Sequence, residues 1–212
     1  NRILNIVQNI SEKFNYQLIN FEINSLNRVA KSEVLNVVEK YYNNSIFLIP
    51  LEDISIAIND LIWVKSVNLS TNFKNTVNIE ILEYIPVGLF FYNNQLFYFS
   101  SEGKIIDLAD KNNGNFIIFH GKQVLQEANN FLKFLSKKRI LNMITIKEAY
   151  YINERRWDIK LDNEILLNLS EKNIEESIVN YIKLLEKLDK SDVISINKID
   201  LRNREKAIIS FK

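Results

Sequence analysis

The chain has 212 residues, 47% of them hydrophobic, and carries 27 lysines and arginines against 26 aspartates and glutamates for a formal net charge of only +1. That length can bury one large or two small cores, while the balanced charge excludes a net field that would gather nucleic acid or anionic lipid. With no cysteine and one histidine, His120, disulfides, thiolate nucleophiles and paired-histidine metal sites are excluded as well.

In chain order, Ile3, Leu4, Ile6, Val7 and Ile10 fit a short helix at the start. Residues 18–23 read as a strand. Residues 32–42 place Val34, Val37, Val38 and Tyr41 at helical spacing, and residues 51–61 do the same with Ile54, Ile58 and Leu61. Strict alternation follows: Val64, Ser66, Asn68 and Ser70 point one way, and Lys65, Val67 and Leu69 the other. After turn chemistry at 72–75, Val77, Ile79 and Ile81 alternate with Asn78, Glu80 and Leu82, which predicts an antiparallel hairpin. The order is strand, helix, helix, strand, strand.

Beyond Pro86 two apolar-aromatic runs flank Asn93 and Asn94, and Ser101, Glu102, Gly103 and Lys104 supply a further turn, which predicts a β meander. A short run at 116–119 precedes a helix over 122–137 carrying Val124, Leu125, Ala128, Phe131, Leu132 and Leu135. Strands are expected at 144–152, 157–161 and 164–169, then a second long helix with Ile174, Ile178, Ile182, Leu185 and Leu188 on one stripe. Strands at 194–201 and 206–211 close the chain.

Catalytic chemistry finds little to work with. His120 followed by Gly121 reads as a strand end, and the acid pairs Glu52-Asp53 and Glu175-Glu176 fall in the first turns of predicted helices, where carboxylates favour the positive end of the dipole. The four glycines never take a phosphate-loop spacing. Lys137, Lys138 and Arg139 suit a helix C-terminus better than a nucleic-acid groove, and the aromatic strands suit a core and sheet surface better than base stacking. No cofactor, metal or nucleic acid is expected.

The strand, helix, helix, strand, strand unit resembles the POTRA module, and more closely the POTRA module of the periplasmic region of the bacterial FtsQ/DivIB cell-division family. Trp63 and Val64 stand where that family opens its second strand with Trp-Val or Trp-Ile. Glu83, Tyr84, Ile85 and Pro86 stand where its third strand ends. Arg155, Arg156 and Trp157 resemble its Arg-x-Trp strand, and Asp200, Leu201 and Arg202 match its Asp-Leu-Arg signature. Three departures accompany these matches: Asn203 stands where Tyr is frequent, Lys206 where Gly is common, and Lys74 where a turn Pro is usual.

The resemblance implies an α+β protein in three parts: a lead-out over 1–13 from a membrane helix upstream of Asn1, a POTRA-like domain over 14–87, and a β-rich domain with two flanking helices over 88–212. It implies a non-enzymatic scaffold of the division machinery, at the septum, in the periplasm and on a single-pass inner-membrane anchor. Its partners would be FtsB-like and FtsL-like proteins and other membrane proteins of that machinery, and it would help control septal peptidoglycan synthesis. The expected partner site comprises Arg155, Arg156, Asp200, Leu201, Arg202, Asn203, Arg204, Glu205, Lys206, Ala207, Ile208, Ile209, Ser210 and Phe211. A second site on the POTRA-like domain comprises Val64, Ser66, Asn68 and Ser70, on a strand expected at a sheet edge. The alternative is a POTRA-bearing outer-membrane assembly or secretion protein that binds unfolded chains. That reading needs a C-terminal barrel, and no long series of outward-apolar strands is present in the sequence.

Overall fold

The computed structural model describes residues 2–109 and 116–212, and the chain divides into two compact units, Asn1–Tyr84 and Ile85–Lys212. The first unit opens with α1 (Arg2–Phe14) and continues through β1 (Asn20–Ile23), α2 (Lys31–Val38), α3 (Leu51–Asn59), β2 (Val64–Thr71) and β3 (Thr76–Glu83). Its sheet has the order β1-β3-β2, with β1 parallel and β2 antiparallel to the central strand. The predicted helical spacings place Val34, Val38, Ile54 and Ile58 in the core, together with Val77, Ile79 and Ile81 from β3. Both outer strands are open edges of this sheet.

One face assignment is corrected. The pairing shifts between Val64 and Ser66, so Val64, 2% exposed, leaves the polar face it was expected to share with Ser66, Asn68 and Ser70. A bulge adds one residue to the strand and breaks the period of two. Only Ser66, Asn68 and Ser70 are exposed along that face.

Two side chains extend this small sheet beyond its strands. Asn24 follows β1 and takes the place of a ladder residue: its Oδ1 accepts the Ile81 N–H at 2.8 Å and its Nδ2 donates to Ile81 O at 3.0 Å. Glu83, at the end of β3, accepts the N–H groups of Asn27, Arg28 and Val29 at 2.7 to 3.2 Å, closing the loop that leads into α2. The Arg28 guanidinium then lies 4.9 Å from the Trp63 ring centroid. The Trp-Val and Glu-Tyr stretches are thus joined through one loop, and both serve the fold.

Burial alone would raise the Glu83 pKa, but the backbone donors Val29, Arg28 and Asn27 outweigh it and hold the carboxyl below its usual range. A pKa depressed in the folded state stabilises above the unfolded value and ceases to do so as pH falls through the folded one. We expect Glu83→Gln to cost about 1–3 kcal/mol at pH 7. Its deficit relative to the unaltered chain should shrink below about pH 4, as read from urea unfolding at the two pH values.

The second unit contains β4 (Pro86–Tyr92), β5 (Gln95–Ser100), β6 (Ile105–Leu108), β7 (Ile118–His120), α4 (Val124–Lys137), β8 (Ile146–Ile152), β9 (Arg156–Leu161), β10 (Leu166–Asn168), α5 (Ile174–Leu185), α6 (Lys190–Ser195), β11 (Ile196–Asp200) and β12 (Ile208–Phe211). Among the described residues these strands form one mixed sheet in the order β12-β11-β10-β9-β8-β7-β4-β5-β6. Asn93 and Asn94 both take positive φ, 47° and 60°, and make the tight turn of the β4–β5 hairpin without glycine. Val124, Ala128, Phe131 and Leu135 from α4 and Ile178 and Tyr181 from α5 share one core with Phe119, Ala149, Trp157, Ile159, Leu167 and Ile199 from the sheet. Gly88 is required by this packing, because a Cβ there would lie 2.8 Å from the rings of Phe99 and Phe119.

The strand expected from residue 194 begins later. The N–H groups of Asp192 and Val193 bond back to Asp189 O at 3.0 and 3.1 Å, which closes residues Lys190–Ser195 into α6. These local backbone bonds override the apolar run that suggested a strand.

Candidate partner-binding site

The Arg-x-Trp and Asp-Leu-Arg stretches, far apart in sequence, meet on the sheet face opposite the helices. Alternation along β9 sends Trp157, Ile159 and Leu161 into the core and Arg156, Asp158 and Lys160 to the other side. Register then sets Asp158 beside Asn168 of β10, and Asn168 beside Asp200 of β11. Asp158 and Asn168 are 5% and 4% exposed, and Asn168 Nδ2 donates to Asp158 Oδ2 at 2.6 Å. Two arginines close over this row. Arg156 donates through Nε and Nη2 to the two oxygens of Asp158 at 3.2 Å each.

Arg202 Nε donates to the Asp200 oxygens at 2.8 and 3.0 Å, its Nη2 also reaches Asp200, and its N–H donates to Asp200 Oδ1 at 3.1 Å. That fork holds the Asp200 carboxyl below its usual range. Both pairs have i, i+2 spacing, which places acid and arginine on the same side of the chain. Between them, Leu201 is a core residue at 4% exposure, its N–H bonded to Asn168 O at 2.9 Å and its carbonyl accepting the Ser177 hydroxyl at 3.3 Å. Leu201 therefore anchors the segment and offers no side chain to a partner.

Arg155, Arg156, Arg202 and Arg204 converge around a surface hollow of about 530 Å³, with Lys172 and Asn173 at its margin. Arg155 pairs with Glu171 at 3.7 Å and Arg204 with Glu176 at 3.2 Å, both exposed. Asn203 turns the chain by accepting the Glu205 N–H at 2.8 Å. Lys206 and Ala207 lead into β12, where Ile208, Ser210 and Phe211 are exposed and Ile209 packs against the core opposite Ile199.

β12 ends the sheet order, so its outer side is open. The Lys212 N–H donates inward to Ser195 O at 2.8 Å. Since successive residues of an antiparallel strand alternate in direction, Ser210 and Ile208 also donate inward, and Ile209 and Phe211 present their N–H groups to the open edge.

Trp157 is a core residue despite its arginine neighbours: Phe131 stacks on it at 4.2 Å with an interplanar angle of 12°. His120 ends β7, lies 2.8 Å from Glu148 Oε2 and stacks on Tyr150 at 4.5 Å. Sequence reasoning missed the buried Asp158–Asn168 pair. An aspartate on the polar side of an alternating strand looks solvated, and the Arg-x-Asp spacing was the available signal.

Removing the arginine from a buried pair leaves an uncompensated charge, whereas an exposed pair contributes little. Arg156→Ala should cost about 3–5 kcal/mol and Arg155→Ala under about 1 kcal/mol, measured by denaturant unfolding. Equal costs would show that the Asp158 carboxylate is not held as described.

A POTRA-type unit followed by an antiparallel-rich sheet with an open terminal edge among the described residues is the architecture of a protein-binding module. Residues 17–84 match the POTRA domain, FtsQ-type, and residues 91–202 match Cell division protein FtsQ/DivIB, C-terminal. Cell division protein FtsQ of Rickettsia typhi is 30% identical over 208 residues, covering 98% of this chain and 77% of its own length. That of Rickettsia prowazekii is 30% identical over 98% of this chain and 76% of its own length. The Escherichia coli K12 protein of the same name is 24% identical over 66% of this chain and 52% of its own length.

The chain belongs to the FtsQ/DivIB family of bacterial cell-division proteins. It is a divisome scaffold built from the family's periplasmic POTRA and β domains, and it acts through protein–protein interaction.

Proposed function

We propose that the β domain recruits an FtsB-like division protein by adding one of that partner's strands to the outer side of β12, with an FtsL-like protein in the same complex. The observation that carries this reading is the open edge of the last strand, whose Ile209 and Phe211 N–H groups face outward by alternation from the Lys212 bond. Strand addition depends on backbone groups, so Asn203 and Lys206 in place of Tyr and Gly leave the mode intact. The exposed Ile208 and Phe211 and the exposed guanidinium of Arg204 supply side-chain contacts. Arg156 acts indirectly, by keeping the Asp158 row and hence the adjacent strands in place.

The same reading places both domains in the periplasm at the septum, on a single-pass anchor in the inner membrane preceding residue 1, where the complex helps control septal peptidoglycan synthesis. Among the described residues no helix is long and apolar enough to cross a membrane, and the two Rickettsia relatives extend beyond the part that the chain covers. On the POTRA domain, the open side of β2 is a second docking edge for another membrane protein of the divisome, with Ser66, Asn68 and Ser70 exposed along it and Val64 acting only from the core.

Titration with the periplasmic segment of the same organism's FtsB-like protein tests the first edge. Proline at Phe211 removes an outward donor and should weaken binding about tenfold, while Ser210→Lys, at an inward-donating position, should leave affinity within about twofold. Undiminished affinity after deletion of residues 203–212, in a variant shown to be folded, overturns the site. For the second edge, photocrosslinkers at Ser66 or Asn68 should capture a divisome membrane protein in cells. Capture only from other surfaces of the POTRA domain removes β2 from the proposal.

A further inference from the structure

Helix α1 docks on its domain through two polar side chains, Gln8 and Ser11, with Val7 half-buried beside them. Gln8 donates through Nε2 to Asn43 O at 3.1 Å and accepts the Ser45 N–H at 2.8 Å. The Ser11 hydroxyl lies 2.7 Å from that of Ser45, and Ser11 is 1% exposed. These bonds set the roll of the helix about its axis. Ile3, Ile6, Ile10 and Phe14, three and four residues apart, consequently form an exposed stripe on the flank of the helix, at 76%, 52%, 52% and 60% exposure. The usual surface helix of a globular domain buries its apolar stripe and solvates its polar one. Here the helix docks through Gln8, Ser11 and the half-buried Val7, and the apolar stripe beside them stays exposed.

Charge indicates what covers the stripe. Arg2 and Lys13 are about three helical turns apart, so they lie on one flank of the stripe, and Lys13 Nζ sits 5.9 Å from the Phe14 ring. The helix has a single acid, Glu12, which is drawn off the stripe by a 3.3 Å bond from Gln8 Nε2. An apolar face edged by cations and cleared of acid is complementary to lipid headgroups that carry phosphate and net negative charge. The balanced charge of the whole chain does not oppose this, because screening limits the relevant charges to those within about 10 Å of the surface.

We propose that α1 lies in the plane of an anionic lipid surface, with Ile3, Ile6, Ile10 and Phe14 at the acyl boundary and Arg2 and Lys13 among the phosphates, and so holds the POTRA domain against the membrane. The proposal rests on the reading that the domains stand beside the inner membrane, and it adds a contact made by the described chain itself. It requires no spanning segment. Polar docking of α1 becomes functional: it keeps the apolar stripe exposed.

Flotation of the 212-residue chain with vesicles tests it. The unaltered chain should float with phosphatidylethanolamine–phosphatidylglycerol vesicles, less so at high salt, and more weakly with phosphatidylcholine alone. Ile6→Glu with Ile10→Glu should reduce partition by at least about tenfold on both. Arg2→Glu with Lys13→Glu should reduce it by about tenfold on the anionic vesicles only. All substituted positions are exposed, so thermal unfolding should be unchanged and confirms that each variant is folded. No flotation of the unaltered chain, or flotation unaffected by the isoleucine substitutions, overturns the proposal. So does a concentration-dependent dimer without flotation that the same substitutions abolish, since the stripe would then belong to a second copy of the chain. Titration with the FtsB-like segment should be unaltered in these variants, so failure of the lipid contact and failure of the partner site are separately visible.

Discussion

The β domain depends on a row of polar groups that crosses three strands and is buried at two of them. Asp158 and Asn168 are almost fully buried, with Asp200 next in register. A carboxylate taken out of water costs several kcal/mol unless it is paired and hydrogen-bonded. Arg156 and Arg202 answer that cost, each from the position two residues away on its own chain segment, and Asn168 supplies the hydrogen bond in between. The row fixes the register of β9, β10 and β11, and the Asp200–Arg202 fork bends the chain as β11 ends. Leu201, secured by Asn168 O and Ser177, then turns the last segment back to form β12. The open edge thus follows from a charge problem in the sheet.

Open sheet edges such as those of β2 and β12 are a hazard as well as an opportunity, because unpaired N–H and C=O groups recruit strands without discrimination. The two edges limit that hazard differently. β2 is lined by Ser66, Asn68 and Ser70, which make a poor apolar template. β12 is short and combines exposed Ile208 and Phe211 with a cluster of arginines beside it. The first edge fully exposes only polar side chains; the second joins backbone donors to apolar contact and charge, and so can select a partner. In the POTRA unit, Glu83 and Asn24 do for the small sheet what the aspartate row does for the large one, satisfying backbone groups that no strand reaches.

Much of this architecture was legible in the sequence. The strand, helix, helix, strand, strand order, the stripes at Val34 and Val38 or Ile174 and Ile178, and the Asn-Asn hairpin follow from side-chain period and turn chemistry, which act over a few residues. What escaped has a common cause. The bulge at Val64, the helix over Lys190–Ser195 and the burial of Asp158 each depend on a partner that periodicity does not specify: an extra residue against β3, a carbonyl at Asp189, a guanidinium folded over a strand. Trp157, a large apolar residue on the core side of its strand, is buried as its type and alternation suggest, and α4 supplies the Phe131 ring that covers it.

By itself the sequence determined the fold class, the exclusion of cysteine and paired-histidine chemistry, and the short stretches around Trp63, Glu83, Trp157 and Asp200 that point to the family, because these reside in residue type and local spacing. Tertiary structure alone decided which of those residues face solvent. It turned Trp63, Trp157 and Leu201 inward, engaged Arg156 with Asp158 and Arg202 with Asp200, left β2 and β12 without outer neighbours, and rolled α1 so that its isoleucines stay exposed. Alternation and helical spacing say which side chains share a face. Only the packing of distant segments, and the hydrogen bonds that long-range register permits, determine which face is covered.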